Sequence, residues 1–205
     1  FLTSAFKDGF FEVQDDGSQK IGEFLDVKPG MRVVDACAGA GGKTLHLAAL
    51  MENKGQIIAM DIHGWKLAEL KRRAKRAGAH NIETREITDN KVIKRLHEKA
   101  DRLLIDAPCS GLGVLKRNPD SKWKIDQDFI DRIRKEQETI LQDYSKIIKK
   151  GGKMVYATCS ILPSENNEQV ENFLKNNPDF KLVKEEKVMP STGFDGFYMA
   201  LIERV

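Results

Sequence analysis

The sequence has no apolar run approaching the ~18 residues that a membrane-spanning helix needs, which excludes an integral helical membrane protein. Cysteine is scarce. Three cysteines in 205 residues cannot all pair with one another and are too few to staple a chain of this length. That excludes a disulfide framework and makes a reducing, cytoplasmic setting the expectation. No sign of charge dominates. Lys and Arg number 34 against 31 Asp and Glu, and the net charge of +3 permits a nucleic-acid partner without arguing for one. The chain opens FLTSAFKDGFF, with neither an initiator Met nor a charged-then-apolar leader. The expectation is therefore a segment cut from something longer, with no secretory signal. Internal repeats, low-complexity tracts and linkers are lacking as well. What is left, 40% apolar and 32% charged, is ordinary for a globular chain, and its length suits one domain spanning 1–205.

Short β-branched or apolar runs alternate with helical spacing from about residue 17 onward, after a lead-in over 1–30. The runs are Met31 to Ala36, Gln56 to Met60, Ile82 to Ile87, Arg102 to Ile105 and Lys153 to Ala157. Between them, Leu45, Leu47, Ala48 and Met51 predict one helix, and Leu67, Leu70, Ala74 and Ala77 a second. Val92, Ile93 and Leu96 predict a third, and the steps from Phe129 through Ile133, Ile140 and Tyr144 to Ile148 a long fourth. Glu165 to Asn177 is a further helix stopped by Pro178, and Phe180 to Lys187 and Phe197 to Glu203 are closing strands. This alternation predicts a doubly wound, mostly parallel sheet covered on both faces.

The segment VVDACAGAGGKTLHLA sets a glycine cluster between the first strand and the first following helix. Free helix N–H groups and bare backbone make that turn an anion or nucleotide site. A Walker A loop fails because Cys37 stands where its first glycine must be, and a dinucleotide fingerprint fails at Thr44. An S-adenosylmethionine loop, which holds an amino-acid tail, fits; a ligand-free structural turn is the plain alternative. Asp61, about 20 residues on, stands where a carboxylate meets ribose hydroxyls, or else caps a helix. Asp89, just past the third strand, suits either an adenine amino group or an Asp–Asn turn.

Cys37, Cys109 and Cys159 all lie at or past the carboxyl ends of predicted strands, the edge at which open α/β sheets bind ligands. No CxxC or His-rich spacing supplies metal ligands, so no metal is expected, and the four histidines read as packing or solvated side chains. Two thiols near an S-adenosylmethionine pocket suggest one chemistry. Carbon 5 of a pyrimidine is a weak nucleophile, but a thiolate adding to carbon 6 makes an enamine whose carbon 5 can accept a methyl group. An acidic partner at ring nitrogen 3 would offset the developing charge, and Asp106 is the candidate.

ACAGAGGKT, DAPCSGLGVLKRNPD with KW close behind, YATCSILPSENNEQV and GFDGFYMA, preceded by FEVQDDGSQ, together resemble the Nop/Sun (Fmu-like) RNA cytosine-C5 methyltransferases over essentially the whole chain. The resemblance implies a Rossmann-like class I S-adenosylmethionine-dependent methyltransferase fold, with a seven-stranded sheet and a final antiparallel strand. It implies that Cys159 is the nucleophile and that Cys109 assists product release. Its cofactor contacts fall on Cys37, Ala38, Gly39, Ala40, Gly41, Gly42 and Lys43, and on Asp61, Asp89 and Asp106. Ala40 replaces the family's usual proline, which loosens a fixed φ angle. The family's upstream RNA-binding region is absent from this chain.

The expected substrate is RNA, ribosomal or else transfer RNA, with its target cytosine in a single strand or loop, and the chain is expected to act as a monomer. Lys116, Arg117, Lys122 and Lys124 with Trp123 follow the Pro-Cys motif and suit phosphate contact and stacking. Six Lys/Arg over Lys66 to Arg76 read instead as a solvated helix face on the far side of the cofactor. The rivals are a DNA enzyme using the Pro-Cys thiol and a non-catalytic RNA-binding scaffold.

Overall fold

The computed structural model describes residues 3–205; the first two residues of the expected lead-in lie outside them. A one-turn helix α1 (Ser4–Lys7) and α2 (Asp16–Phe24), capped by the Asp15 carboxylate on Gly17 N at 2.9 Å, open the chain. There follow β1 (Arg32–Asp35), α3 (Gly42–Leu50), β2 (Gln56–Asp61), α4 (Gly64–Arg76), β3 (Ile82–Glu86), α5 (Asn90–Lys94) and β4 (Ala100–Asp106). Then come α6 (Gln127–Tyr144), β5 (Ile148–Thr158), α7 (Asn167–Asn176), β6 (Phe180–Val188) and β7 (Phe197–Arg204). The sheet order is β3-β2-β1-β4-β5-β7-β6, with β7 antiparallel to both neighbours and the other pairs parallel. This is the doubly wound architecture that the alternation predicts, with the one reversed strand that the resemblance implies.

Strand direction follows from two-sided burial. Val33 and Val34 are both fully covered, on opposite faces: Val33 packs with Ile21, Leu47 and Met51 of α2 and α3, and Val34 with Leu141, Val170 and Phe173 of α6 and α7. Each such aliphatic side chain withdrawn from water contributes roughly 1.5–3 kcal/mol. The edge strand β6 is exposed from Lys181 to Lys187, where charged side chains guard its free edge against pairing with other chains.

Three differences from the sequence pattern have physical causes. β5 begins at Ile148 rather than near Lys153, because Ile148 pairs with Ala100 across a register shift in β4. The third helix is only five residues long, since α5 packs Ile93 inward and ends before Leu96. The expected helix from Glu165 starts instead at Asn167. Pro163–Glu165 forms a tight 3-10 turn that drives the Glu165 side chain into the interior.

The strand order reverses between β1 and β4, the place where doubly wound sheets open a crevice at their carboxyl edge. Beneath that crevice, Asp35 at the end of β1 is 1% exposed and accepts a hydrogen bond from Thr44 Oγ1 at 2.7 Å. Burial outweighs that bond and pushes the carboxyl from its ordinary value up to about 7. Between about pH 4 and pH 7 the folded chain therefore keeps a proton that the unfolded chain has lost, so this group lowers stability as pH rises across that window. Asp35→Asn is expected to gain stability over the parent progressively from pH 4.5 to pH 7.5 in urea unfolding; a pH-independent difference would contradict this.

Candidate active site

Four loops at the carboxyl edge of the sheet build the site. The turn after β1 places Gly41 at φ 88°, a left-handed conformation that starts α3, and a Cβ there would strike Leu70. Gly41 is thus required by packing. Gly39, at φ 54°, differs: a Cβ on it would meet no protein atom within 4 Å, so its bare backbone opens onto free space. Ala38 is buried, Gly42 begins α3, and the Ala40 carbonyl accepts from Arg73 Nη1 at 2.8 Å, a bond that braces the turn at the alanine standing for the family's proline.

Beside this turn lies a cavity of about 340 Å³, walled by Cys37, Gly39, Asp61, His63 and Lys66 on one side and by Asp106, Pro108, Glu136, Ile140 and Tyr144 on the other. Ile62 and Ile87 add apolar surface. Asp61 accepts from Gly39 N at 2.9 Å and from His63 N at 2.8 Å, so its carboxylate is oriented by two backbone amides. Asp89 lies outside this wall; it is exposed and caps α5 by accepting from Lys91 N at 2.7 Å.

Lys43 reaches from α3 to Asp106 Oδ2 at 2.7 Å. Burial opposes the ammonium charge, but Asp106 and Asp35 outweigh it and hold the Lys43 pKa above its ordinary value. Next to this pair the loops after β4 and β5 meet, and Cys109 Sγ lies 3.3 Å from Cys159 Sγ. The hydrogen bond between the thiols sorts them: it lowers the pKa of Cys159, with Lys43 adding to the effect, and raises that of Cys109, with burial adding to it. Of the two, Cys159 is thus the thiol more readily deprotonated. Cys37 is driven the opposite way from Cys159, its thiol pushed up by burial and by the carboxylates of Asp35, Asp106 and Asp61.

The basic residues after the Pro-Cys motif divide. The turn Pro119–Trp123 leaves Trp123 80% exposed with Lys122 Nζ 4.9 Å from its ring centroid, and Lys116 and Lys124 are exposed too. Arg117 forms an ion pair with the buried Asp195, tying its loop to the segment before β7. The run on α4 does not read as a uniformly solvated face, nor does it all lie away from the cavity. Lys66 lines the cavity, while Arg73 and Arg76 pair with Glu12 and Arg76 covers the Phe6 ring at 4.2 Å.

Sequence reasoning passed over His63, Glu136, Gln137 and Glu165. Gln137 carried a signal, a polar residue four steps after Ile133 on the inward stripe of α6; Glu165 carried none, because it reads as an ordinary helix-opening acid. Among the described residues no group of three His, Cys, Asp or Glu side chains could hold a metal ion.

A family model described as 16S rRNA methyltransferase RsmB/F matches residues 23–202. The probable ribosomal RNA small subunit methyltransferase B of Bacillus subtilis is 38% identical over 180 residues, which is 87% of this chain and 40% of that protein. Ribosomal RNA small subunit methyltransferase B of Proteus mirabilis is 35% identical over 206 residues, 99% of this chain and 48% of that protein. The crystal structure of NSun6 from Pyrococcus horikoshii with SFG superposes with a TM-score of 0.90 at 30% identity, over 100% of this chain and 56% of that one. The chain thus spans less than half the length of these curated relatives. Its fold is the Rossmann-like one of methyltransferases, and the chain belongs to the RsmB/F family of 16S rRNA methyltransferases.

Proposed function

We propose that this chain is the catalytic domain of an S-adenosylmethionine-dependent RNA cytosine-C5 methyltransferase that acts on ribosomal RNA through Cys159. The observation that carries the reading is the 3.3 Å approach of two thiols beside the Lys43–Asp106 pair, with the lowered pKa on Cys159. The cavity fits the cofactor. Gly39 leaves its backbone open to the amino-acid tail, the oriented Asp61 carboxylate suits ribose hydroxyls, and Ile62, Ile87 and Ile140 suit a flat apolar ring. Asp89 contributes only by fixing the loop beyond Ile87.

The bound cofactor supplies an electrophilic methyl group on a sulfonium. The protein supplies the activation of the base. The Cys159 thiolate adds to carbon 6 of cytosine, forming the S–C6 bond and moving electron density onto carbon 5 and the ring nitrogen. The Lys43 ammonium, held by Asp106 beside that thiolate, offsets the negative charge that accumulates. Carbon 5 would then bond the methyl group as the methyl–sulfur bond breaks, its electron pair returning to sulfur to leave a neutral thioether. A base removes the carbon 5 proton, the pair re-forms the ring double bond, and the C6–S bond breaks to return the Cys159 thiolate. Cys109 donates its hydrogen bond to that leaving sulfur.

RNA is the proposed partner, met by Lys116, Lys122 and Lys124 as phosphate contacts and by the exposed Trp123 as a stacking platform, with Arg117 serving mainly to hold its loop. A base must leave any stack to reach Cys159, which favours a cytosine in a loop or single strand. Three unpaired cysteines suit a reducing, cytoplasmic setting. No described helix is long and apolar enough to cross a membrane.

Cys159→Ser is expected to lower methyl transfer by about a thousandfold or more and to form no protein–RNA adduct. Cys109→Ser is expected to accumulate that adduct as a slow band on denaturing gels with labelled RNA. An adduct from Cys159→Ser, or none from Cys109→Ser, would transfer the nucleophile's role to Cys109. Calorimetric titration with S-adenosylmethionine separates an enzyme from a scaffold, because only the former binds it. Cys109→Ala, which deletes the S–H donor, is expected to move the pH midpoint of Cys159 alkylation by iodoacetamide upward, read by mass spectrometry of the Cys159 peptide; an unmoved midpoint would remove Cys109 as the activating group.

A further inference from the structure

Directly after each reactive cysteine stands a buried serine, and both serines converge on one carboxylate. Glu165, 0% exposed, accepts from Ser110 N at 2.8 Å and Ser110 Oγ at 2.5 Å, and also from Ser160 Oγ. Gln137 of α6 donates from Nε2 to Glu165 Oε1 at 3.0 Å and to the Pro108 carbonyl at 2.9 Å. The two serine hydroxyls also lie 3.2 Å apart. Tyr156 OH donates to the Glu165 carbonyl at 2.8 Å, which fixes the main chain bearing that carboxylate. The neighbouring Asn166 accepts from Thr158 Oγ1 at 2.5 Å and donates to the Ser160 carbonyl at 3.0 Å, gripping the Cys159 loop on both sides of the cysteine.

We infer that Glu165 is a positioning residue that sets the spacing of the two thiols by holding the Cys109 and Cys159 loops to one carboxylate. Three observations favour this over a role in packing alone. A buried carboxylate is costly unless its lone pairs are filled, and here all the donors come from the Pro-Cys loop, the Thr-Cys loop and the helix behind them. The bonds attach to residues adjacent in sequence to the cysteines, so a change in the carboxylate is transmitted to the sulfur atoms over one peptide unit. Apart from the hydroxyl and thiol contacts just described, these loops are joined by main-chain bonds, Gly113 N donating to the Cys159 carbonyl at 2.9 Å and Ala107 N to the Ala157 carbonyl at 2.9 Å. Those main-chain bonds set the separation of the backbones but not the direction of the side chains.

The chemistry makes spacing matter. Cys159 depends on its hydrogen bond with Cys109, whose sulfur lies 3.3 Å away, and a hydrogen bond between sulfurs weakens quickly as they separate. Glu165→Gln preserves the tie: its oxygen still accepts from Ser110 N and Gln137, and its amide donates to the two hydroxyls, each of which can accept. Glu165→Ala removes the tie and with it the acceptor that four donors share.

This inference rests on the proposed covalent reaction, and it is tested by a measurement that uses neither RNA nor cofactor. Phenylarsine oxide condenses with two neighbouring thiols, forming two As–S bonds and releasing water, and it holds poorly to one. The parent is expected to take up one equivalent that resists competition by a monothiol, and Cys109→Ser is expected to lose it. Glu165→Ala is expected to lose this capture, and kcat with it by about 100-fold, the order expected of a ~1 Å misplacement, while the KM for RNA and the affinity for S-adenosylmethionine stay within about twofold. Glu165→Gln is expected to restore capture and most of kcat. Capture retained by Glu165→Ala, or lost as fully in Glu165→Gln, would overturn the inference. If thermal unfolding shows Glu165→Ala to be unfolded, the double variant Ser110→Ala/Ser160→Ala takes its place, with loss of capture expected and retained capture overturning the inference. If capture behaves as expected and the parent shows no methyl transfer, the methyltransferase reading fails and the spacing role stands.

Discussion

The parallel pairing of β4 with β5 is the constraint on which the site depends. Asp106 is in register with Ala157, so the Pro-Cys and Thr-Cys loops leave the sheet side by side, and Cys109 and Cys159 follow three and two residues later. The sheet is buried on both faces, so a slip of one residue would move Leu103 and Ile105 of β4 into the core that Leu104 fills, and Leu104 into theirs. The chemistry of the thiols therefore inherits its geometry from hydrophobic pairing in the strands, and the polar contacts above refine it.

Electrostatics in the crevice are organised as a gradient rather than as a single charge. Asp35, deep under the turn, is raised by burial toward neutrality; Lys43 is kept protonated by the carboxylates around it; Cys159 is lowered by its neighbour thiol. Cys37, only two residues past Asp35 and surrounded by carboxylates, is pushed the other way. Two sulfurs on the same edge are thus shifted in opposite directions, although nothing about the cysteine side chain itself distinguishes them.

Much of this was legible in the residues. The alternation of apolar runs with helical spacing gives the sheet, and the glycine turn, Asp61 and the two cysteine motifs fall at the edge where ligands bind. Asp106 and Lys43 are both visible as motif residues, but their ion pair is not, because it joins positions 63 residues apart. Glu165 was hidden for a different reason. An acid in SENNEQV at a helix start is the expected helix-favouring choice, and only the tight turn at Pro163 rotates it inward. The α4 basic run misled because charge counting along a helix does not tell which arginines have acidic partners from a distant segment, here Glu12. Asp89 shows the limit of position alone: an Asp after a strand can meet a ligand or cap a helix, and here the capping bond occupies it.

The antiparallel strand β7 follows β6 in the chain but lies between β5 and β6 in the sheet. The residue before it, Gly196, donates its N–H to the Gly113 carbonyl at 2.8 Å, and Gly113 in turn donates to the Cys159 carbonyl, so the loop leading into β7 buttresses the thiol loops. During translation, β5 keeps an unpaired edge and the Cys159 loop lacks the Gly196 buttress until residues 196–204 emerge from the ribosomal exit tunnel. A chain ending before residue 196 thus lacks both the antiparallel partner of β5 and the main-chain buttress of the thiol loops.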